Sequence, residues 1–199
     1  MAKMMGPRFK KARRLGLNVY GHPKAMKRAG RGTSREDRKL SDYGKQLLEK
    51  QRLATYFGVL EKQMRIYVKK AKQSKEQTNE ALLGLLQRRL DHVVYVSGLA
   101  STSRMARQMV VHGHILVDGK RVDIPSYLVD EGQVLTYSEK AKENPLFTEN
   151  YQDRLPMKTD YLDKTEDYKV TVNRLPKRED LPLDINDTLV VEFYSKSSL

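Results

Sequence analysis

The chain has 199 residues, a formal net charge of +13 and 39% hydrophobic residues, enough apolar material for a core through most of its length. It has no Cys, which excludes disulfides, thiolate nucleophiles and Cys-based zinc sites; with no apolar leader among the opening residues, this points to a reducing, cytosolic setting. No stretch approaches the ~18 apolar residues that a membrane span requires, so a soluble protein with no membrane partner is expected.

The charge is unevenly placed. Residues 1–40 hold thirteen basic residues against Glu36 and Asp37, a net +11, whereas residues 41–125 carry +7 and residues 126–199 carry −5. Neutralising phosphates releases condensed counterions, so a concentration of cations of this kind points to a polyanion, and nucleic acid is the first partner to consider.

In chain order, residues 1–40 mix these cations with Gly6, Pro7, Gly16, Gly21, Pro23, Gly30 and Gly32. That composition predicts an extended arm with one short helical turn, too polar to bury a core of its own and ordering on RNA. Ser41 is an N-cap for a helix with Tyr43, Leu47, Ala54 and Phe57 on one side, ending at Gly58. A second helix has an apolar stripe of Leu60, Met64, Tyr67, Val68 and Ala71. Its Lys62, Arg65, Lys69 and Lys72 recur every three or four residues on another face, where a phosphate backbone could run. A third helical pattern begins near Thr78, is loosened at Gly84 and ends at Gly98, with Ala81, Leu82, Leu85, Leu86, Leu90, Val93 and Val94 as core.

Ser101 or Thr102 caps a short helix in which Met105, Ala106, Met109 and Val110 face inward, Arg104, Arg107 and Gln108 face out, and Gly113 terminates. The period then changes to two: residues 114–117 and 120–124 read as a hairpin around Asp118-Gly119, and Gly132 with Val134 and Thr136 announces another strand. Arg104, Arg107, His112, His114, Lys120 and Arg121 would make a compact basic platform. Residues 138–167 read as a polar, acidic loop, and residues 169–172 resume a strand. From Asn186 to Tyr194 an N-cap signal favours a helix, while the Val-rich run suits a strand equally well.

His22, His92, His112 and His114 have no metal-ligand spacing, and no Walker-type Gly-rich loop is present, so neither a metal nor a cofactor is expected.

The order and spacing of several blocks resemble one family nearly end to end. They are Gly6-Pro7 with residues 11–16, residues 39–51, residues 89–95, Ala106-Arg107-Gln108, residues 112–119, residues 124–127, and residues 174–196. This family is the bacterial-type fourth protein of the small (30S) ribosomal subunit, here in a Cys-free, zinc-independent form. The resemblance implies an α+β chain: a basic N-terminal extension (1–40), and a discontinuous helical domain (41–87, completed by 176–199). Into that domain is inserted a small α/β RNA-binding module (88–175) with a twisted antiparallel sheet. It tips the terminal segment toward helix.

It further implies a non-enzymatic structural constituent of the small subunit. Such a protein is a primary binder of a multi-helix junction in the 5′ domain of 16S rRNA, nucleating assembly early and contributing to decoding accuracy. The implied partners are 16S rRNA, mRNA where it enters the ribosome, small-subunit protein five and other 30S proteins. The expected RNA-contacting residues are Lys10, Lys11, Arg13, Arg14, Arg35, Arg38, Lys39, Lys50, Arg52, Lys62, Arg65, Lys69, Arg104, Arg107, His112, His114, Lys120 and Arg121. A-form RNA hides its base edges, so recognition is expected to be by shape, with several backbones met at fixed mutual angles.

Two departures from the family pattern stand out: the Cys and Pro-Gly-Gln-His-Gly features of the arm are missing, and Ser103 occupies a position where an Arg is common. Two other readings compete. One is a free RNA-binding regulator of translation with the same architecture. The other is an RNA pseudouridine synthase, suggested by Arg89-Leu90-Asp91 with Asp91 as nucleophile, against which Asp91 is expected to cap a helix or partner Arg89.

Overall fold

A computed structural model describes residues 6–35, 37, 39–153, 160–165 and 167–196. The chain divides into two compact units, Met1–Leu82 with Leu183–Leu199, and Leu83–Pro182.

In the first unit the basic arm is folded rather than extended. Helix α1 (Arg8–Leu15) buries Ala12 and Leu15, places Arg13 and Arg14 in its last turn where cations complement the helix dipole, and ends at Gly16 in the left-handed region. A chain of turns follows, burying Val19 and Ala25. There the Asp37 carboxylate accepts the Gly32 and Ser34 N–H groups at 2.8 and 3.1 Å. Two apolar side chains three residues apart were enough to seat the helix, which the cation density obscured.

Helix α2 (Asp42–Tyr56) starts as expected, with the Ser41 hydroxyl accepting the Gly44 N–H at 3.2 Å. Ala54 and Phe57 are buried as expected, but the first half of the stripe is displaced: Tyr43 is 62% exposed and Leu47 half-buried, while Leu48, Leu53 and Tyr56 are buried. Between them Arg52 and Glu49 are also buried, which no amphipathic pattern anticipates. Helix α3 (Glu61–Lys72) buries Met64, Tyr67, Val68 and Ala71 as expected. Helix α4 (Thr78–Gln87) runs through Gly84 without interruption.

The expected single helix to Gly98 breaks at Arg89 instead, inside the second unit. Backbone groups at 88–91 pair with a distant segment: Leu90 N–H reaches Tyr127 O at 2.8 Å, Asp91 N–H reaches Pro125 O at 3.2 Å, and Val129 N–H reaches Arg88 O at 2.8 Å. Helix α5 (Leu90–Val96) then restarts with every residue buried. Helix α6 (Ser103–Val111) is capped by the Thr102 hydroxyl, which accepts Met105 N–H at 3.1 Å. It closes in a Schellman motif, with His114 N–H on Met109 O and Gly113 N–H on Val110 O, both at 2.9 Å.

Strands β1 (Ile115–Val117) and β2 (Lys120–Arg121) flank Asp118 and Gly119, whose φ values of 49° and 75° fit the two-residue hairpin turn. With β3 (Val134–Tyr137), β4 (Leu162–Thr165) and β5 (Lys169–Val172) they form an antiparallel sheet in the order β2-β1-β3-β5-β4. Its buried side, with Ile115, Val117, Leu135, Tyr137, Val170 and Val172, shares one core with α5 and α6.

The loop expected over 138–167 is not one where it is described: β4 occupies 162–165, residues 154–159 and 166 lie outside the described residues, and residues 138–153 are mostly helical. They form α7 (Glu139–Lys142) and α8 (Pro145–Asp153), anchored by Ala141, Phe147 and Tyr151. Three anchors in an acid-rich stretch give too weak a periodicity to read from sequence. In the first unit, residues 187–196 resolve as helix α9 (Asp187–Lys196), with Asn186 Oδ1 accepting Leu189 N–H at 3.2 Å and Val190 and Tyr194 buried four apart.

Three parts of the first unit meet at one ion pair. Arg52 is 7% exposed; its Nε donates to Leu15 O at the end of α1 (2.8 Å) and its Nη1 to Glu49 Oε1 (2.7 Å), while Glu49 Oε2 accepts Asn186 N–H (3.1 Å) at the start of α9. Removing one partner of such a pair leaves a buried charge unmatched. Arg52→Ala is therefore expected to destabilise the protein by about 3–5 kcal/mol, with Arg52→Met losing less, in urea unfolding followed by circular dichroism.

Candidate RNA-binding surface

The first unit sorts its expected RNA-contacting residues by exposure. Lys10, Arg14, Lys39, Lys62, Arg65 and Lys69 are exposed. Lys62, Arg65 and Lys69 share one face of α3 together with Lys72, opposite its buried stripe. Lys11, Arg13 and Arg35 are half-buried, Arg13 with Nη1 3.5 Å from Ala25 O and Arg35 with Nη1 3.0 Å from Gln51 Oε1.

Two of the expected residues are held by the fold. Arg52 is the buried clasp already described and lies off the surface. Lys50 is paired with Glu61 at 2.7 Å and sits 4.9 Å from the Phe193 ring centre. Although burial pushes the Glu61 carboxyl up, Lys50, the Tyr194 hydroxyl and Arg65 together bring it below its ordinary value. Arg38 lies outside the described residues.

Within the second unit, the platform is built on α6 and the hairpin. Arg104 is exposed on α6 and Ser103 is its first residue. Arg107 is half-buried with Nη1 3.0 Å from Asp91 Oδ2. Asp91 is gripped on its other side by Arg89, 1% exposed, through Nε and Nη2 at 3.0 and 2.7 Å. Burial pushes the Asp91 carboxyl up while both guanidiniums oppose it. Asp91 thus partners Arg89, as its sequence position suggested, and it also fixes Arg107, which the sequence did not reveal.

His112, Lys120 and Arg121 are exposed, and His114 is half-buried with its ring 6.0 Å from His112 and 5.3 Å from Phe147. Burial, His112 and Arg121 all lower the His114 pKa. The structure thus brings Arg104, Arg107, His112, His114 and Arg121 onto α6 and the strand pair that follows it, with Lys120 at the hairpin end.

Sequence reasoning passed over Lys24, Lys27, Arg28 and Arg31, all exposed on the turns after α1. Their signal was present in the same charge run. Among the described residues no cluster of His, Asp or Glu could hold a metal ion, and no helix is long and apolar enough to cross a membrane.

A short capped helix running into an antiparallel hairpin, with cations projecting from both, defines a class of RNA-binding unit, and residues 88–135 match the S4 domain. Residues 3–87 match the Ribosomal protein S4/S9 N-terminal domain. Across its length the chain is 54% identical over 198 residues to the small ribosomal subunit protein uS4 of Finegoldia magna, covering 98% of this chain and 100% of the relative. It is 48% identical to uS4B of Clostridium acetobutylicum, covering 99% and 100%, and 46% identical to uS4 of Streptococcus pyogenes serotype M49, covering 98% and 99%. The chain belongs to the uS4 family of small ribosomal subunit proteins, here without Cys, and is a structural constituent of the ribosome rather than an enzyme. That membership removes the pseudouridine synthase reading, and the ion pairs give Asp91 a structural role in its place.

Behind the platform, His92 is buried, and burial with the nearby Arg89 charge lowers its pKa from 6.5 to about 3. The unfolded chain then binds the extra proton between those values. Stability is fully present above pH 6.5 and falls as pH drops toward 3, by about 2 kcal/mol between pH 6.5 and 5. Thermal unfolding at pH 7.5, 6 and 5 should show this slope, and His92→Gln should flatten it.

Proposed function

We propose that this protein is a primary 16S rRNA binder that grips a multi-helix junction in the 5′ domain, nucleates small-subunit assembly, and works in the cytoplasm within that subunit. The observation that carries the reading is that its exposed cations stand on ordered elements. Lys10 and Arg14 lie on α1, Lys62, Arg65 and Lys69 on α3, and Arg104, His112 and Arg121 on α6 and its hairpin. Phosphate contacts fix register and orientation, so cations on rigid supports suit recognition of backbone shape. The functional division is an arm of 1–40, a helical domain of 41–87 completed by 176–199, and an inserted module of 88–175.

Lys39, with the neighbouring Arg38 position, is assigned to mRNA where it enters the ribosome. Tyr43, exposed with its ring 5.7 Å from that of Phe193, gives the first unit an aromatic surface of the kind proteins dock against. We assign it to a protein neighbour, small-subunit protein five, through which decoding accuracy would be influenced. Other 30S proteins complete the surroundings.

The test is binding to a 16S 5′-domain transcript and to an unrelated folded RNA of equal length across a salt series. With roughly six to ten phosphates contacted, affinity should fall by about three to five decades between 50 and 200 mM salt. Preference for the 5′ domain should survive that fall. Equal binding that collapses together would leave a non-specific RNA-coating protein, and a shallow slope would reject the phosphate grip altogether.

A further inference from the structure

Gly113 carries two constraints. The first is the Schellman turn that ends α6, where its φ of 70° favours glycine. The second comes from β2. A Cβ built on Gly113 would overlap Nε and Cζ of Arg121 and lie 2.6 Å from its Nη2. The Arg121 guanidinium therefore lies against the bare Cα, occupying the volume that any other residue's side chain would fill.

The route there follows from the strand register. Arg121 pairs with Leu116, and alternation puts both on the less buried side of the sheet, opposite Ile115 and Val117. From that position the side chain reaches back to the end of α6. The last carbonyls of a helix carry partial negative charge, so a guanidinium is favoured there. His112 and His114 flank the same Gly, and the Arg121 charge is among the causes that lower the His114 pKa. Arg121 as a whole remains exposed. Its head is thus held in place while still open to solvent.

We infer that Gly113 is a positioning residue for RNA binding: its missing side chain is the seat that holds the Arg121 guanidinium over the end of α6, where it meets one phosphate of the RNA backbone. This rests on the RNA-binding function proposed above. A long Arg left free loses rotamer entropy on binding, whereas one seated beforehand loses less. The atoms that a Cβ would strike are near the end of a flexible chain, so Arg121 can swing aside. Blocking the seat should displace the guanidinium while the fold persists.

The test uses the full chain and the 16S 5′-domain transcript in a salt series, with thermal unfolding of every variant. Gly113→Asn is the main substitution, because Asn accepts positive φ far better than other side chains and still brings a Cβ into the seat. Arg121→Ala should lower the salt slope by about one phosphate, so that its deficit against the unsubstituted protein shrinks about threefold between 50 and 200 mM. Gly113→Asn should reproduce much of that change, and adding it to Arg121→Ala should produce no further loss.

An unchanged slope in Arg121→Ala overturns the inference whether or not the Gly113 variant folds. So does a Gly113→Asn variant that keeps the full slope, or one whose loss is as large in the Arg121→Ala background, since it would then act through the turn alone. If the unsubstituted protein itself binds without a steep slope, the proposed function fails instead, and the two failures are told apart by that one curve.

Discussion

In a chain of net charge +13, a guanidinium can be buried only where a carboxylate meets it, and the Arg52–Glu49 pair is where the first unit does this. One side of the pair holds the last turn of α1 through Leu15 O, and the other holds the start of α9 through Asn186 N–H. These groups come from opposite ends of the sequence. Bringing them together closes a very long loop, but the entropy of closure grows only slowly with length. A single well-satisfied polar clasp, backed by packing between α2 and α9, therefore fits a unit whose sequence is discontinuous. A hydrophobic contact at that point would contribute comparable stability, while the ion pair adds a demand for one particular register.

The second unit uses the same device for a different end. Arg89 stands at the N-cap of α5, and its guanidinium turns to grip Asp91 in that helix's first turn, while Asp91 also pairs with Arg107 on α6. Backbone pairing with residues 125–129 breaks the helix, and the ion network then fixes the angle at which α6 leaves α5. His92, packed in the same buried turn, is held neutral by this arrangement, because a second cation beside Arg89 in a dry interior would be unmatched. The platform thus depends on a buried charge cluster behind it.

Much of this was legible in sequence where local chemistry decides structure. Ser41 and Thr102 cap helices, Asp118-Gly119 turns the hairpin, Gly113 ends α6, and Met64, Tyr67, Val68 and Ala71 face inward. Misreadings arose where tertiary partners decide. The break at Arg89 follows from hydrogen bonds to residues more than thirty positions away, which no helical period records. Helices α7 and α8 rest on Ala141, Phe147 and Tyr151 reaching a core supplied by other segments. The site was legible as a set of cations but not as a sorting of them. Arg52 looked like any other Arg, although its spacing of three from Glu49 on a helix was an available signal of pairing.

That sorting separates two tasks that composition merges. Arg52, Arg89 and Lys50 neutralise carboxylates and hold elements in register, whereas Lys10, Arg14, Lys62, Lys69 and Arg104 stand exposed on the elements so fixed. Arg107 bridges the tasks, one face toward Asp91 and the other half-open to solvent. Arg121 bridges them without a carboxylate: the end of a helix and an empty Cβ position do the holding. A flexible tail of equal charge would attract RNA as strongly at long range, since that attraction depends on charge alone. Only cations fixed with respect to one another can distinguish one arrangement of phosphates from another. On the function proposed above, the buried minority of this chain's charges sets the positions from which its exposed cations would read shape.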